Sequence, residues 1–198
     1  MTNDSTGQGQ MALPDKDYYK ALHQAALTIS SSLELDEVLQ SVVISITQAM
    51  QVKACGLRLL DAETGQMRLS AVYGLSNEYL AKGPVNVVNS PFDSEALLGS
   101  PVYIADVRVD PRFQYKDAAR QEGLVSVLCV PLEVHGSAIG VMRVYTQTET
   151  KFHDDDIQFL SVLASLAALA IENARLYESI RNSYHGVMNA FWGTQVSP

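Results

Sequence analysis

The apolar residues of this chain change period several times between its ends. From Lys16 to Leu33, Tyr19, Leu22, Ala26, Ile29 and Leu33 recur at alternating three and four spacing, which draws one stripe along a helix. A second helix is predicted from Asp36 to Met50, with Val38, Leu39, Val42, Val43 and Ile46 on its apolar face and Asp36 and Glu37 at the positive end of its dipole. The period then falls to two. KACGLRLL (53–60) and MRLSAVYG (67–74) flank a polar turn from Asp61 to Gly65 and read as an antiparallel pair. From Ser76 to Gly123 the pattern weakens into short helical candidates at 77–81, 94–98 and 115–121 and one strand, PVYIAD (101–106). Irregular segments this long inside a compact domain usually carry function.

The stretch GLVSVLCVPLEVHGSAIGVMRVY (123–145) consists of two β-rich segments meeting at His135-Gly136, a strong hairpin signal. With those two residues as the turn, Val134 faces Ser137, and counting back pairs Leu128 with Arg143 and Ser126 with Tyr145. Ser126, Leu128, Val130, Val141, Arg143 and Tyr145 then share one face, while Val127, Cys129, Met142 and Val144 form an apolar opposite face suited to helices. The polar face needs a cover, and the 76–123 segment is available to supply it.

A last helix is predicted from His153, with Phe152 before the cap to staple against Ile157 and with Asp154, Asp155 and Asp156 in its first turn. Run to Ser183 it would be about 45 Å long, more than one compact domain needs. It carries two apolar stripes: Ile157, Leu160, Ala164, Ala167 and Ile171, and a second of Phe159, Val162, Leu166, Leu169, Leu176 and Ile180. One can cover the sheet and leave the other for a partner. Asn173 lies in the second stripe, where it either fixes the register of a paired coil or is simply exposed as the helix leaves the domain. Gly186 is expected to end the helix, leaving Phe191 and Trp192 in a tail.

Composition narrows the chemistry. At 198 residues and a formal charge of -8, with no Lys/Arg cluster, the chain fits one domain with extended ends and would repel a phosphate backbone, so no nucleic-acid partner is expected. The two cysteines, Cys55 and Cys129, sit in apolar segments with no disulfide or zinc spacing, and read as small core hydrophobes of a reduced, cytoplasmic protein. The four histidines lie on separate segments without metal-ligand spacing, so no metal and no cofactor is expected. The first residues, MTNDSTGQGQMALPD, lack the basic start and apolar core of a signal peptide, no other apolar run is both long enough and free of charge to span a bilayer, and no membrane partner is expected. Residues 1–15 read as a disordered tail, 16–34 as a linker or dimerisation helix, 35–175 as the domain, and 176–198 as a helical extension and tail.

From about Leu35 to Tyr177 the sequence resembles the GAF domains, sensing and dimerisation modules of signalling proteins. The resemblance rests on the hairpin with the Phe152 and Asp154–Asp156 run after it, on Leu69, Ala71, Gly74 and Leu75, and on VRVDPRF at 107–113. It implies an α+β fold of GAF/PAS-like type: a central, mostly antiparallel sheet of about six strands, terminal helices on one face and a roofed pocket on the other. Under the roof, Tyr73, Tyr103, Asp106, Phe113, Tyr115, Arg120, Ser126, Leu128, Arg143 and Tyr145 are the candidate ligand-binding residues. Buried Arg, Tyr and Ser can also satisfy one another without a ligand. For a homodimer through the terminal helices the candidates are Leu22, Ile29, Phe159, Val162, Leu166, Leu169, Asn173, Leu176 and Ile180.

Within the family the sharper signatures are incomplete. Cyclic-nucleotide-binding members carry Asn-Lys, then Phe, then Asp-Glu; Phe152 and Asp156 match, but Tyr145-Thr146 and Ile157 stand at the other places. Bilin-binding members attach chromophore through a cysteine commonly followed by His, whereas Gly56 and Val130 follow the cysteines here. An enzymatic relative reduces free methionine sulfoxide with pocket-loop cysteines, and none lies between Gly56 and Leu128. The leading expectation is a non-enzymatic sensor that binds a small molecule and signals through dimeric helices to a downstream protein. The alternatives are a dimerisation scaffold without a ligand and a reductase-like redox enzyme.

Overall fold

The computed structural model describes residues 18–31 and 34–192. Two helices, α1 (Tyr18–Ser31) and α2 (Leu35–Met50), lead into the hairpin β1 (Ala54–Asp61) and β2 (Gln66–Tyr73). The middle of the chain holds α3 (Asn77–Leu80), β3 (Val85–Asn86), α4 (Pro91–Ala96), β4 (Val102–Ile104) and α5 (Lys116–Glu122). It closes with β5 (Val127–Val134), β6 (Ser137–Tyr145) and α6 (Asp154–Trp192). The strands form a six-stranded sheet in the order β3-β2-β1-β6-β5-β4, antiparallel at every pairing. The expected disordered tail at 1–15 lies outside the described residues.

α1, α2 and α6 cover one face of the sheet. Leu39, Val42, Val43 and Ile46 of α2 and Leu160, Leu163, Ala164, Ala167 and Ile171 of α6 bury against Cys55, Leu57, Leu128, Val130, Leu132, Met142 and Val144. The apolar stretch of α6 is long enough to cross a membrane by length and composition, and one stripe of it packs on the sheet. Its start is capped by a carboxylate: the His153 backbone N–H donates to Asp156 Oδ2 at 2.9 Å. Asp156 also accepts from the Tyr18 hydroxyl, and the Tyr18 ring stacks on Phe159 with centroids 4.0 Å apart. α1 and the start of α6 are thereby tied together.

Four expectations are corrected here. The inward face of α1 is Tyr18, Ala21, Leu22, Ala25 and Ile29, whereas Tyr19 and Ala26 point outward; Leu33 lies outside the described residues. Phe159 is 3% exposed beneath Tyr18, so α1 of the same chain already occupies the place reserved for a partner. Gly186 does not end α6, which continues to Trp192; a lone glycine inside a helix costs roughly 1 kcal/mol.

The register of the β5–β6 hairpin also differs from the expected one. His135 and Gly136 do form the two-residue turn, both with positive φ (49° and 76°), and Val134 faces Ser137. Three residues later a β-bulge intervenes: Glu133 pairs with Ala138 but Leu132 with Gly140, leaving Ile139 as the extra residue. Cys129, not Leu128, therefore faces Arg143, and Val127, not Ser126, faces Tyr145. A slip of one residue exchanges the faces of a strand. Leu128 and Val130 turn to the helices, and Cys129 and Val127 to the opposite side.

Candidate functional site

The second face of the sheet is roofed by the irregular segment between β2 and β5. Tyr79, Phe92, Ala96, Phe113, Ala119 and Leu124 bury against Ala54, Val127, Cys129, Val141 and Tyr145. Glu122 holds the roof down: it accepts from the Ser76 backbone N–H at 3.1 Å and from the Ser76 hydroxyl, and pairs with Lys53 at 3.2 Å.

Arg143 lies at the centre of this face and is 4% exposed. Its strand neighbours are Gly56 on β1 and Cys129 on β5, two small residues that leave room for a guanidinium. The carboxylate facing it is Asp93 of α4, fully buried, whose Oδ1 forms an ion pair with Arg143 Nη2. Ser90 donates to Asp93 Oδ2 at 2.5 Å, Arg143 Nη1 donates to the Tyr145 hydroxyl at 3.2 Å, and the guanidinium carbon lies 5.6 Å from the centre of the Phe92 ring. Burial alone would lower the Arg143 pKa; the Asp93 carboxylate, together with Tyr145 and Cys129, more than reverses that and holds the group charged.

A cavity adjoins this pair, lined by Tyr79, Lys82, Val85, Ser90, Phe113, Gln114, Tyr115 and Arg143. Its free space is about 10 Å³, room for about one water. Four buried polar atoms among its lining residues lack a hydrogen-bond partner: Arg143 Nε, Gln114 Oε1, the Tyr79 hydroxyl and Arg143 Nη2, the last held in the ion pair with Asp93. Burial raises the pKa of the Tyr79 hydroxyl, and the neighbouring Tyr145 raises it further. A wider open groove, of about 870 Å³, lies between the start of α2, the β1–β2 hairpin and Arg175, but it carries no comparable buried polar group among its lining residues.

Lys82 lies over the Tyr79 ring, 3.7 Å from its centroid, and its pKa is lowered from 10.5 to about 7 by burial and then by the neighbouring Arg58 and Arg143. Unfolded, the lysine holds its proton to higher pH, so between those values the unfolded chain binds more protons and stability rises with pH. Denaturant titrations at pH 7, 8 and 9 are expected to give a rising unfolding free energy for the wild type and a flatter one for Lys82→Met. Equal slopes would place Lys82 in solvent.

The residues expected to line the pocket divide into several groups. Phe113, Tyr115, Arg143 and Tyr145 lie together at the cavity. Asp106 and Arg120 line a separate outer groove of about 420 Å³, where Asp106 grips Arg108 through two hydrogen bonds of 2.8 and 2.7 Å and Arg120 pairs with Asp117 at 2.6 Å. Tyr73 is 43% exposed at the end of β2. Tyr103 packs with the helix-side core, donating to the Thr150 carbonyl at 2.9 Å. Leu128 belongs to that core as well. Ser126 braces two loops, donating to the Ala105 carbonyl at 2.6 Å and accepting from the Thr150 N–H at 3.0 Å.

Arg58, Tyr79, Lys82, Ser90, Asp93 and Gln114 were not among the expected residues. For Asp93 a signal existed: Ser90-Pro91-Phe92-Asp93 has the serine, first-turn proline and acidic third position of a helix start. That pattern places α4, which begins three residues before the expected helix, but it does not reveal that the carboxylate turns inward.

The GAF domain family model matches residues 34–171. The chain belongs to this family. The methyl sulfide methyltransferase-associated sensor of Methanosarcina acetivorans is 25% identical to this GAF domain chain over 162 residues, 78% of the chain but 16% of that protein. The GAF domain from a phosphoenolpyruvate-protein phosphotransferase (ptsP) from Coxiella burnetii superposes with a TM-score of 0.73 at 22% identity, covering 82% of this chain and 96% of that one. Free methionine-R-sulfoxide reductase from Neisseria meningitidis, solved in complex with its substrate, gives a TM-score of 0.69 at 20% identity, covering 81% and 91%. These structural likenesses establish the fold. The relatives include sensor and regulatory proteins, of which the GAF domain chain spans 16% and 27% of the length.

Proposed function

We propose that this GAF domain is the sensing module of a cytoplasmic regulatory protein: it binds a small molecule beneath the roof and transmits occupancy through the helices of a homodimer to a downstream signalling protein. The observation that carries the reading is that unsatisfied buried polar atoms, Arg143 Nε, Gln114 Oε1 and the Tyr79 hydroxyl, belong to side chains that line one cavity. Each unmet group costs about 1–3 kcal/mol, a cost that a polar ligand would remove. With about 10 Å³ free, entry requires the roof to move, so ligand binding selects an arrangement with the roof displaced.

A line of contacts leads from the roof to α6. Tyr103 on β4 donates to the Thr150 carbonyl at 2.9 Å and meets Phe152 edge-on at 5.8 Å, immediately before the helix begins. Along α6, Val162, Leu169, Leu176 and Ile180 are exposed on the single chain, and with Leu166 and Asn173 they repeat at three and four spacing, the seam of a paired coil. Leu169→Glu and Ile180→Glu are each expected to dissociate the dimer at micromolar concentration while leaving the far-ultraviolet circular dichroism of the domain unchanged. Sedimentation of both variants as dimers would remove this seam.

The tight cavity favours a second reading, a scaffold whose pocket is filled by its own side chains. Thermal unfolding in the presence of a low-molecular-mass cell extract separates the two, because a molecule bound by the folded state alone raises its stability. A reductase-like role is disfavoured by burial of both thiols, which raises the pKa of Cys55 and Cys129 well above the usual thiol range.

A further inference from the structure

We infer that Asp93 is an internal stand-in for the acidic group of the pocket's ligand, which is a compact oxyanion-bearing molecule that binds by replacing Asp93 on Arg143. The inference rests on the pocket reading above. The cation belongs to the rigid part of the domain: Arg143 is in a central strand, paired on one side with Gly56 and on the other with Cys129. The carboxylate belongs to the roof, on the six-residue helix α4, secured on that helix by the Ser90 hydroxyl at 2.5 Å. Separation of roof and sheet would therefore part Asp93 from Arg143 and leave the guanidinium open to another anion.

The charges around the cavity are unequal. Arg58, Lys82 and Arg143 interact electrostatically with one another, Asp93 is the carboxylate that acts on both arginines, and Glu122 acts on Lys82. This positive excess lies in a chain whose acidic residues outnumber its basic ones 22 to 14. Arg143 retains an Nε–H with no acceptor, although a guanidinium can bind a carboxylate or phosphate through two parallel hydrogen bonds. Gln114 Oε1, also unpaired, would accept from a hydroxyl or amino group elsewhere on the same molecule. An oxyanion with a donor group nearby meets both demands, and a ligand without negative charge would leave Arg143 unneutralised once Asp93 is displaced.

The test is anion rescue of Asp93→Asn, with sodium acetate and inorganic phosphate as probes and sodium chloride at equal ionic strength as the reference. Removing the internal carboxylate is expected to tighten the apparent Kd for one probe by about tenfold or more relative to wild type, read from the thermal midpoint. The probe that acts assigns the oxyanion as carboxylate or phosphate, and Arg143→Met added to the variant abolishes the response. Equal responses in wild type and Asp93→Asn, or a response that survives loss of Arg143, would overturn the inference. Should Asp93→Asn fail to fold, Ser90→Ala keeps the charge but frees the carboxylate; it is expected to bind the same probe more tightly than wild type, and unchanged affinity counts against the proposal. An uncharged molecule retained equally by wild type and Arg143→Met in native mass spectra would leave the pocket reading standing and overturn the anion assignment. Absence of both rescue and any retained molecule would count against both.

Discussion

Arg143→Met is expected to destabilise the domain by about 3–5 kcal/mol, because it leaves the Asp93 carboxylate buried and uncompensated. Asp93 is 0% exposed, and no solvent reaches it to take over the role of the guanidinium. For a domain of this size the loss corresponds to a fall in thermal midpoint of roughly 6–20 °C. The double variant Asp93→Leu/Arg143→Met is expected to recover most of that loss, since replacing a buried pair by apolar residues of similar volume is often neutral. Thermal denaturation of wild type, both single variants and the double variant completes the cycle. Additive losses would mean that the two groups are not coupled. The comparison also bears on the purpose of the pair: if an apolar replacement is tolerated, the ion pair serves recognition rather than stability.

The second large effect is expected at Gly140. Here β6 is paired on both sides, with Leu59 of β1 and Leu132 of β5, so no free edge is available to yield. A Cβ at this position would lie 2.2 Å from the Arg58 carbonyl oxygen and 3.0 Å from the Leu59 Cα. Both are backbone atoms held in the sheet. Gly140→Ala is therefore expected to cost about 2–4 kcal/mol, more than its single methyl group suggests. At Gly136, by contrast, an added Cβ meets nothing and the positive φ of 76° is the main penalty, about 1–2 kcal/mol for Gly136→Ala. Urea unfolding of the two variants side by side checks the order, and a larger loss at Gly136 would contradict the close packing of β1 against β6.

The regular parts of this fold were legible because their periods are strong. The apolar positions of α2, the β1–β2 pair and the turn at His135-Gly136 all follow from local spacing. The bulge at Ile139 could not be read in the same way. It has no residue signature of its own, and it places Cys129 rather than Leu128 beside Arg143. The α1 stripe was displaced for a related reason: Tyr18 and Tyr19 are equally apolar, and it is the contact with Phe159 and Asp156 that turns Tyr18 inward.

The candidate site was legible only in part. Arg143 and Tyr145 are visible as polar positions in an apolar hairpin, and Phe113 and Tyr115 as aromatics in the irregular segment. Their partners come from distant parts of the chain, with Asp93 separated from Arg143 by a strand, a helix and a hairpin. A buried carboxylate and an exposed one look alike in sequence. The three basic side chains Arg58, Lys82 and Arg143 are brought together by the β1–β6 pairing and the roof, and an overall charge of -8 conceals them.

The central claim is that a small molecule occupies the space beneath the roof, against Arg143. A native mass spectrum of the gently purified chain tests it most directly, since subunit number and any retained compound are read together. A dimer carrying one discrete small-molecule increment per subunit is the expected result. Bare protein, whatever its subunit number, would contradict the claim and leave the Asp93–Arg143 pair as the permanent occupant of the pocket.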